Sequence, residues 1–329
     1  MERYLNPVLL LTLVTATMLS LGIGTLDVEV FAALRDWFAG APTPQAIIVG
    51  EIRLPRTLLA LVVGAAMGLS GAALQGLLRN PLVDPGLIGA SQGAALGAAL
   101  VFYYNLFAPL GALATPFAGL IGASLTLFIL MGLSGSMARP AIIIMAGLAI
   151  STLASALLAV VLNFAPNPYA MQELVFWLLG SVSNRGLDNL AVLLPAFALG
   201  SIMLLAQRRL LLGISLGEQV ADSMGLQVAR SGRYIVLGTA LLVGSSVAVA
   251  GNIGFVGLVV PHLLRPLVRY RPDRLLLPSA LAGAIVVLLA DMLVRQLPPE
   301  RELKLGVLTA LVGAPFFVWL VWKERQRWF

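Results

Sequence analysis

Apolar residues run through this chain in long unbroken stretches, and polar residues arrive in short clusters between them. The most informative stretch is 53–93. Arg53 and Arg56 open it, Pro55 between them marks a helix start, and residues 57–78 then carry no charge. A helix over that run is roughly 33 Å long, enough to cross a hydrocarbon core of roughly 30 Å. Arg79-Asn80-Pro81 ends the crossing, and Asp84-Pro85-Gly86 breaks the chain before the next apolar run. Read the same way, the whole chain predicts ten crossings, at 8–25, 57–78, 87–104, 111–133, 141–163, 189–206, 234–250, 255–270, 275–295 and 305–322.

Breakers set some of these boundaries, because 85–138 and 234–264 hold no charge. Tyr103 to Gly111 and Gly251 to Gly254 supply the turns. The first run, preceded by Arg3, reads as a retained helix and not a cleaved signal, since no small-residue cleavage site follows it. With the start of the chain in the cytoplasm, fourteen of the 21 basic residues fall on the cytoplasmic side and seven outside. That imbalance predicts both termini inside. Three polar segments remain. Residues 27–56 form an outer loop with a short helix near Phe31–Phe38, and 164–188 carry an outer half-helix too short to cross. Residues 207–233 form the largest cytoplasmic loop, punctuated by Gly213, Gly217 and Gly225 into two short helical pieces. Glycine pairs four apart, Gly64/Gly68, Gly89/Gly93 and Gly93/Gly97, predict close helix contacts, by default within one subunit.

Composition agrees and narrows the chemistry. The 329 residues are 59% hydrophobic and 11% charged, against about 25% charged in ordinary soluble domains. The fold class is therefore all-α, a polytopic membrane protein. A net charge of +6 sits in clusters beside apolar runs, a topology signal and not a nucleic-acid stripe. No cysteine and one histidine, His262, leave no thiolate site and no metal site. The only lysines are Lys304 and Lys323, and no G-x-x-x-x-G-K-[ST] occurs, so no phosphate-binding loop forms here. ATP-driven work then falls to another subunit. Ion-coupled transport is the alternative, and it calls for carboxylates or histidines within the membrane. The candidates are Asp84, Glu173, His262 and Asp291, the last reading as an i,i+4 ion pair with Arg295.

Four segments, 52–98, LGEQVADSMGL at 216–226, GNIGFVGLVVPHLLR at 251–265 and LGVLTALVGAPFFVWL at 305–320, resemble the permease subunits of bacterial ABC importers for iron–siderophore, haem and cobalamin. The resemblance covers nearly the whole chain. It implies a single permease domain over 1–329 with ten helices, the type II importer fold, in the bacterial inner membrane. The implied partners are a second permease subunit, giving a homodimer or close heterodimer, two cytoplasmic ATPases that bind ATP and Mg, and a periplasmic substrate-binding protein. No cofactor is implied in this chain. Residue by residue, Arg53, Arg56 and Arg295 match arginines that meet acidic groups of the binding protein. Leu216, Gly217, Glu218, Ala221, Met224, Gly225 and Leu226 match the segment seated in the ATPase. Asn80 and Leu82 match one cytoplasmic gate, and Pro140 and Ala141 fall at the other, where this chain lacks the hydroxyl residues of some members. The resemblance leaves the chelate open among haem, siderophore and cobalamin, with iron compounds placed first.

Overall fold

The computed structural model describes residues 2–24, 26–41, 43–104, 106–135, 140–165, 168–297 and 303–325. Helices account for nearly all of them, and no strand occurs among the described residues. The chain opens with α1 (Glu2–Gly22), α2 (Val30–Phe38) and α3 (Pro44–Ile47), where Thr43 Oγ1 caps α3 by accepting from Ala46 N at 3.2 Å. From α3 the chain passes through a π-helical turn, Ile48–Arg53, straight into α4 (Leu54–Leu77). Pro55 was expected to start a helix, and instead the helix runs through it. Proline has no N–H to give the carbonyl one turn back. The wider π turn, with Leu54 N bonded to Val49 O, carries the backbone past that gap without a break.

A 3-10 turn, Pro85–Ile88, leads into α5 (Ala90–Tyr104). Asp84 caps that turn, accepting from Gly86 N at 2.8 Å. Then follow α6 (Ala114–Ser134), α7 (Pro140–Asn163), α8 (Pro168–Leu178) and α9 (Asp188–Ala206). Two short helices, α10 (Arg208–Ser215) and α11 (Glu218–Ser223), precede α12 (Val228–Ala250), α13 (Val256–Leu264), α14 (Pro272–Arg295) and α15 (Leu305–Arg325). Eight segments are long and apolar enough to cross a bilayer: α1, α3–α4 as one piece, α6, α7, α9, α12, α14 and α15. The protein is thus a multi-pass membrane protein. The apolar runs at 87–104 and 255–270 form the shorter α5 and α13. α13 has only nine residues, ending where Pro266 tightens the next turn, Arg265–Val268, to 3-10 form.

The core is built around α4. Ten consecutive positions, Ala66 to Gln75, are buried, so this helix is enclosed on every side, as apolar character all round predicts. Its main neighbours are α14, α12, α13 and α9. The contact with α14 is backbone on backbone: a Cβ on Gly64 would lie 2.4 Å from Gly283 O, and one on Gly68 would lie 2.0 Å from Ser279 O. Gly93 and Gly97 of α5 meet α6 in the same manner, at Gly122 and Ala118. The glycine spacings therefore close helices together within one chain. By contrast, α1 and α7 leave large apolar side chains such as Leu11 and Met145 exposed, as helices facing lipid or another subunit do.

Candidate functional site

Two clusters occupy opposite ends of α4. At its start, Arg56 and Arg295 hold the buried carboxylate of Asp291, and Arg53 bonds the end of α1. Arg56 Nε lies 2.9 and 3.1 Å from the two carboxylate oxygens, and its Nη2 is 2.8 Å from Oδ1. Arg295 donates to Oδ2 through Nε, at 2.8 Å, and through Nη2. Its Nη1 reaches Ser20 O at 2.8 Å. Arg53 is spent on backbone carbonyls, with Nη1 on Leu21 O and Gly22 O at 3.0 and 2.7 Å and Nη2 on Leu26 O. The cluster ties the end of α1 to α4 and α14, helped by a buried Ser20–Thr57 hydroxyl pair at 2.8 Å. Of the three arginines expected to meet a partner, Arg53 and Arg295 are buried, and Arg56 keeps a fifth of its side chain exposed.

At the other end, α4 closes with Arg79 in the left-handed region (φ 47°). Asn80 N returns to Gln75 O at 3.2 Å, and Asn80 Oδ1 accepts from Leu82 N at 2.9 Å. This fixes the short turn that carries both expected gate residues. Behind it lies a residue that the sequence reading passed over. Gln75 is fully buried, and its Nε2 lies 3.2–3.3 Å from the carbonyls of Val83, Gly257 and Leu258. Its Oε1 accepts from Arg265 Nη2 at 2.8 Å. One amide thus joins α4, the turn after it, α13 and the 3-10 turn that follows. The available signal was the single amide side chain in a charge-free run, which a buried helix tolerates only with partners.

The segment 216–226 lies at the same end. Gly217, at φ 121°, precedes α11, and Gly225, at φ 77°, follows it. Gly213, expected to punctuate the loop, instead sits inside α10, because α11 packs on it: a Cβ there would lie 2.4 Å from Leu226 Cδ1. Ala221 is buried, Leu226 packs against the core, and Leu216, Val220 and Met224 are 62%, 41% and 57% exposed. Leu216 stands just before α11, Val220 within it and Met224 just after it, an exposed apolar stripe along the segment. Glu218 of α11 pairs with Arg79 at 3.9 Å, linking α11 to the turn that holds Asn80 and Leu82. A cavity of about 70 Å³ between the ends of α4, α6, α7 and α12 is lined by Leu77, Ile143 and Glu218, among others. Pro140 and Ala141 open α7 beside it; their side chains lie outside the described residues.

The sequence matches the model of the FecCD transport family over residues 11–323. The chain belongs to that family. It is 38% identical over 328 residues to the vitamin B12 import system permease protein BtuC of Citrobacter koseri, covering 98% of this chain and 95% of that one. It is 41% identical over 290 residues to the hemin transport system permease protein HmuU of Yersinia pestis, covering 84% of each. A solved metal-chelate type ABC transporter in an inward-facing conformation superposes with a TM-score of 0.81 at 34% identity, covering 98% of this chain and 100% of that one. Within this FecCD protein, two of the three acidic residues weighed for ion coupling have structural partners, and Glu173 is exposed. Asp291 is neutralised by two arginines and Asp84 caps a turn. His262 packs edge-on against Phe316, ring centroids 5.9 Å apart.

Proposed function

We propose that this FecCD chain is the membrane permease of an ATP-driven importer of a metal chelate, haem or an iron–siderophore complex, with cobalamin the alternative. It would lie in the bacterial inner membrane with ten crossings and both termini cytoplasmic, α5 and α13 serving as the two short ones. A second copy would complete the path, and two cytoplasmic ATPases would supply ATP and Mg chemistry that this chain lacks. The observation that carries this reading is α11. Val220 within it, with Leu216 just before and Met224 just after, is exposed, while Glu218 pairs with Arg79, next to Asn80. A partner gripping that stripe would pull on the gate turn directly. At the far end, Arg56 and Arg295 share one buried carboxylate while Arg53 bonds the end of α1, and this arginine-rich end would suit an acidic binding protein. Arg56 is the member of the set able to make direct contact.

The reading is tested by reconstituting the chain with its ATPase and binding protein in vesicles. Uptake of one chelate among hemin, a ferric siderophore and cobalamin should require ATP and both partners. Uptake driven by a proton or sodium gradient without any ATPase would replace it with an ion-coupled transporter. The coupling stripe has its own test. Leu216→Ser with Met224→Ser should weaken ATPase association at least about 100-fold, since burying each side chain is worth about 1.5–3 kcal/mol. Thermal stability should stay unchanged, because both side chains are exposed. An ATPase still bound at wild-type strength would remove the stripe from the interface.

A further inference from the structure

Between α8 and α9 the chain turns twice through the left-handed region, at Gly180 (φ 75°) and Asn184 (φ 57°). Asparagine tolerates that conformation at a cost, and the loop around it is held at both ends. Ser181 N donates to Ala250 O at 2.7 Å, Ser181 and Ser183 pair their hydroxyls at 2.9 Å, and Val182 is fully buried. On the far side, buried Asn189 returns its N–H to Gly186 O at 3.2 Å. The residue presented between these anchors is Arg185. It is half-buried, and its Nε is sealed from solvent with no acceptor. Burial pushes its pKa down, and no neighbouring carboxylate offsets that. Among the described residues, Arg53, Arg56, Arg265, Arg271 and Arg295 are likewise withdrawn from solvent. Each of those donates to a carboxylate, an amide oxygen or backbone carbonyls. Arg185 is the exception.

A desolvated guanidinium without an acceptor is costly to keep, and its planar, donor-only fork fits a carboxylate or phosphate. The acceptor then comes from outside the chain. A phospholipid headgroup fits the location poorly. Ser181 ties the loop to the end of α12, where every residue from Leu242 to Ala250 is buried. The loop thus caps an enclosed part of the bundle and not a lipid-facing rim. A half-buried group also suits a small solute that can enter better than an acidic side chain on a docked protein. We propose that Arg185 seats a carboxylate of the transported chelate, so that the cargo is an anionic one, hemin or a carboxylate-bearing ferric siderophore. This assignment of the cargo rests on the reading of the chain as a chelate permease; the unpaired guanidinium does not.

The test uses the full chain with its ATPase in phosphatidylcholine vesicles, treated with phenylglyoxal, which modifies reachable, unpaired arginines. Peptide mass spectrometry should show Arg185 modified faster than Arg295, whose ion pair is buried. Hemin or ferric citrate should protect Arg185. Hemin dimethyl ester and ferrichrome, which carry no free carboxylate, should not. With the binding protein and ATP added, Arg185→Gln should lower sub-saturating uptake of the protecting chelate at least about 10-fold, the loss of one charged hydrogen bond. Arg185→Lys, which keeps the charge, should recover part of it. The thermal midpoint of Arg185→Gln should not fall, since an uncompensated charge is removed; a merely structural arginine would lower it. Equal protection by the acid and esterified forms, no protection by any chelate, or unchanged uptake in Arg185→Gln would overturn the proposal. So would protection by ligand-free binding protein, which makes the acceptor a protein carboxylate, or by phosphatidylglycerol vesicles without chelate, which makes it a headgroup. Uptake that needs no ATPase would overturn the permease reading and leave the protection pattern intact, so the two fail separately.

Discussion

Replacing Asp291 with Asn should destabilise the protein by about 3–5 kcal/mol, the cost of leaving buried charge without its partner. The carboxylate is 1% exposed and answers guanidinium groups from two helices. The amide keeps the shape but loses the charge, so Arg56 and Arg295 are left facing each other across a neutral group. The midpoint of thermal unfolding in mild detergent should fall by at least about 6 °C. Arg56→Gln is the informative comparison. Arg56 is the more exposed partner, and its loss leaves the Asp291–Arg295 pair intact, so its effect should be well under half as large. Equal losses from the two variants would mean that Asp291 is not the node of the cluster. Because Arg295, held by Asp291, also donates to Ser20 O, Asp291→Asn should also loosen the end of α1. Faster proteolysis after Leu26 would report that loosening.

How much of this was legible in the sequence depends on distance along the chain. Charge-free runs marked the helices because burying a charge in lipid is costly, and a run of twenty residues states its own length. The pairing of Asp291 with Arg295 was readable too, since four positions on one helix bring side chains together. Arg56, 235 positions away from Asp291, joins the same carboxylate, and nothing local announces that. Arg53 shows the limit more sharply. The resemblance implies a partner-facing role for it, and in the fold its acceptors are carbonyls at the end of α1. Gly213 misled for a related reason. Glycine in a polar loop reads as a turn, whereas here it makes room inside a helix for Leu226. The length of α13 was likewise hidden. Phe255 takes a left-handed conformation (φ 66°) just before it, a choice no propensity of phenylalanine foretells.

Gly71→Ala should damage both stability and coupling, because the backbone of α13 stands where the new methyl group would go. A Cβ at Gly71 would lie 1.8 Å from Gly257 O and 2.7 Å from Gly257 Cα. No side chain can rotate away to relieve that contact; α13 itself must shift. A Cβ on Gly257 would in turn lie 2.9 Å from Met67 O of α4, so the two backbones meet from both sides. The shift would draw Gly257 O and Leu258 O away from Gln75 Nε2, one turn further along α4. Overpacking of about 1–3 kcal/mol and a weakened buried hydrogen bond of similar size sum to about 2–6 kcal/mol. Gly132→Ala in α6 is the control, with nothing within 4 Å of its added methyl. There the gain in helix propensity should make the change neutral or stabilising by up to about 1 kcal/mol. Unfolding midpoints in detergent separate the two, and a harmless Gly71→Ala would show that α4 and α13 are not held backbone to backbone. Gln75 also bonds Val83 O in the turn after Asn80 and Leu82. If the proposed assembly holds, the ATPase bound to surviving Gly71→Ala protein should therefore lose the stimulation expected from a loaded binding protein.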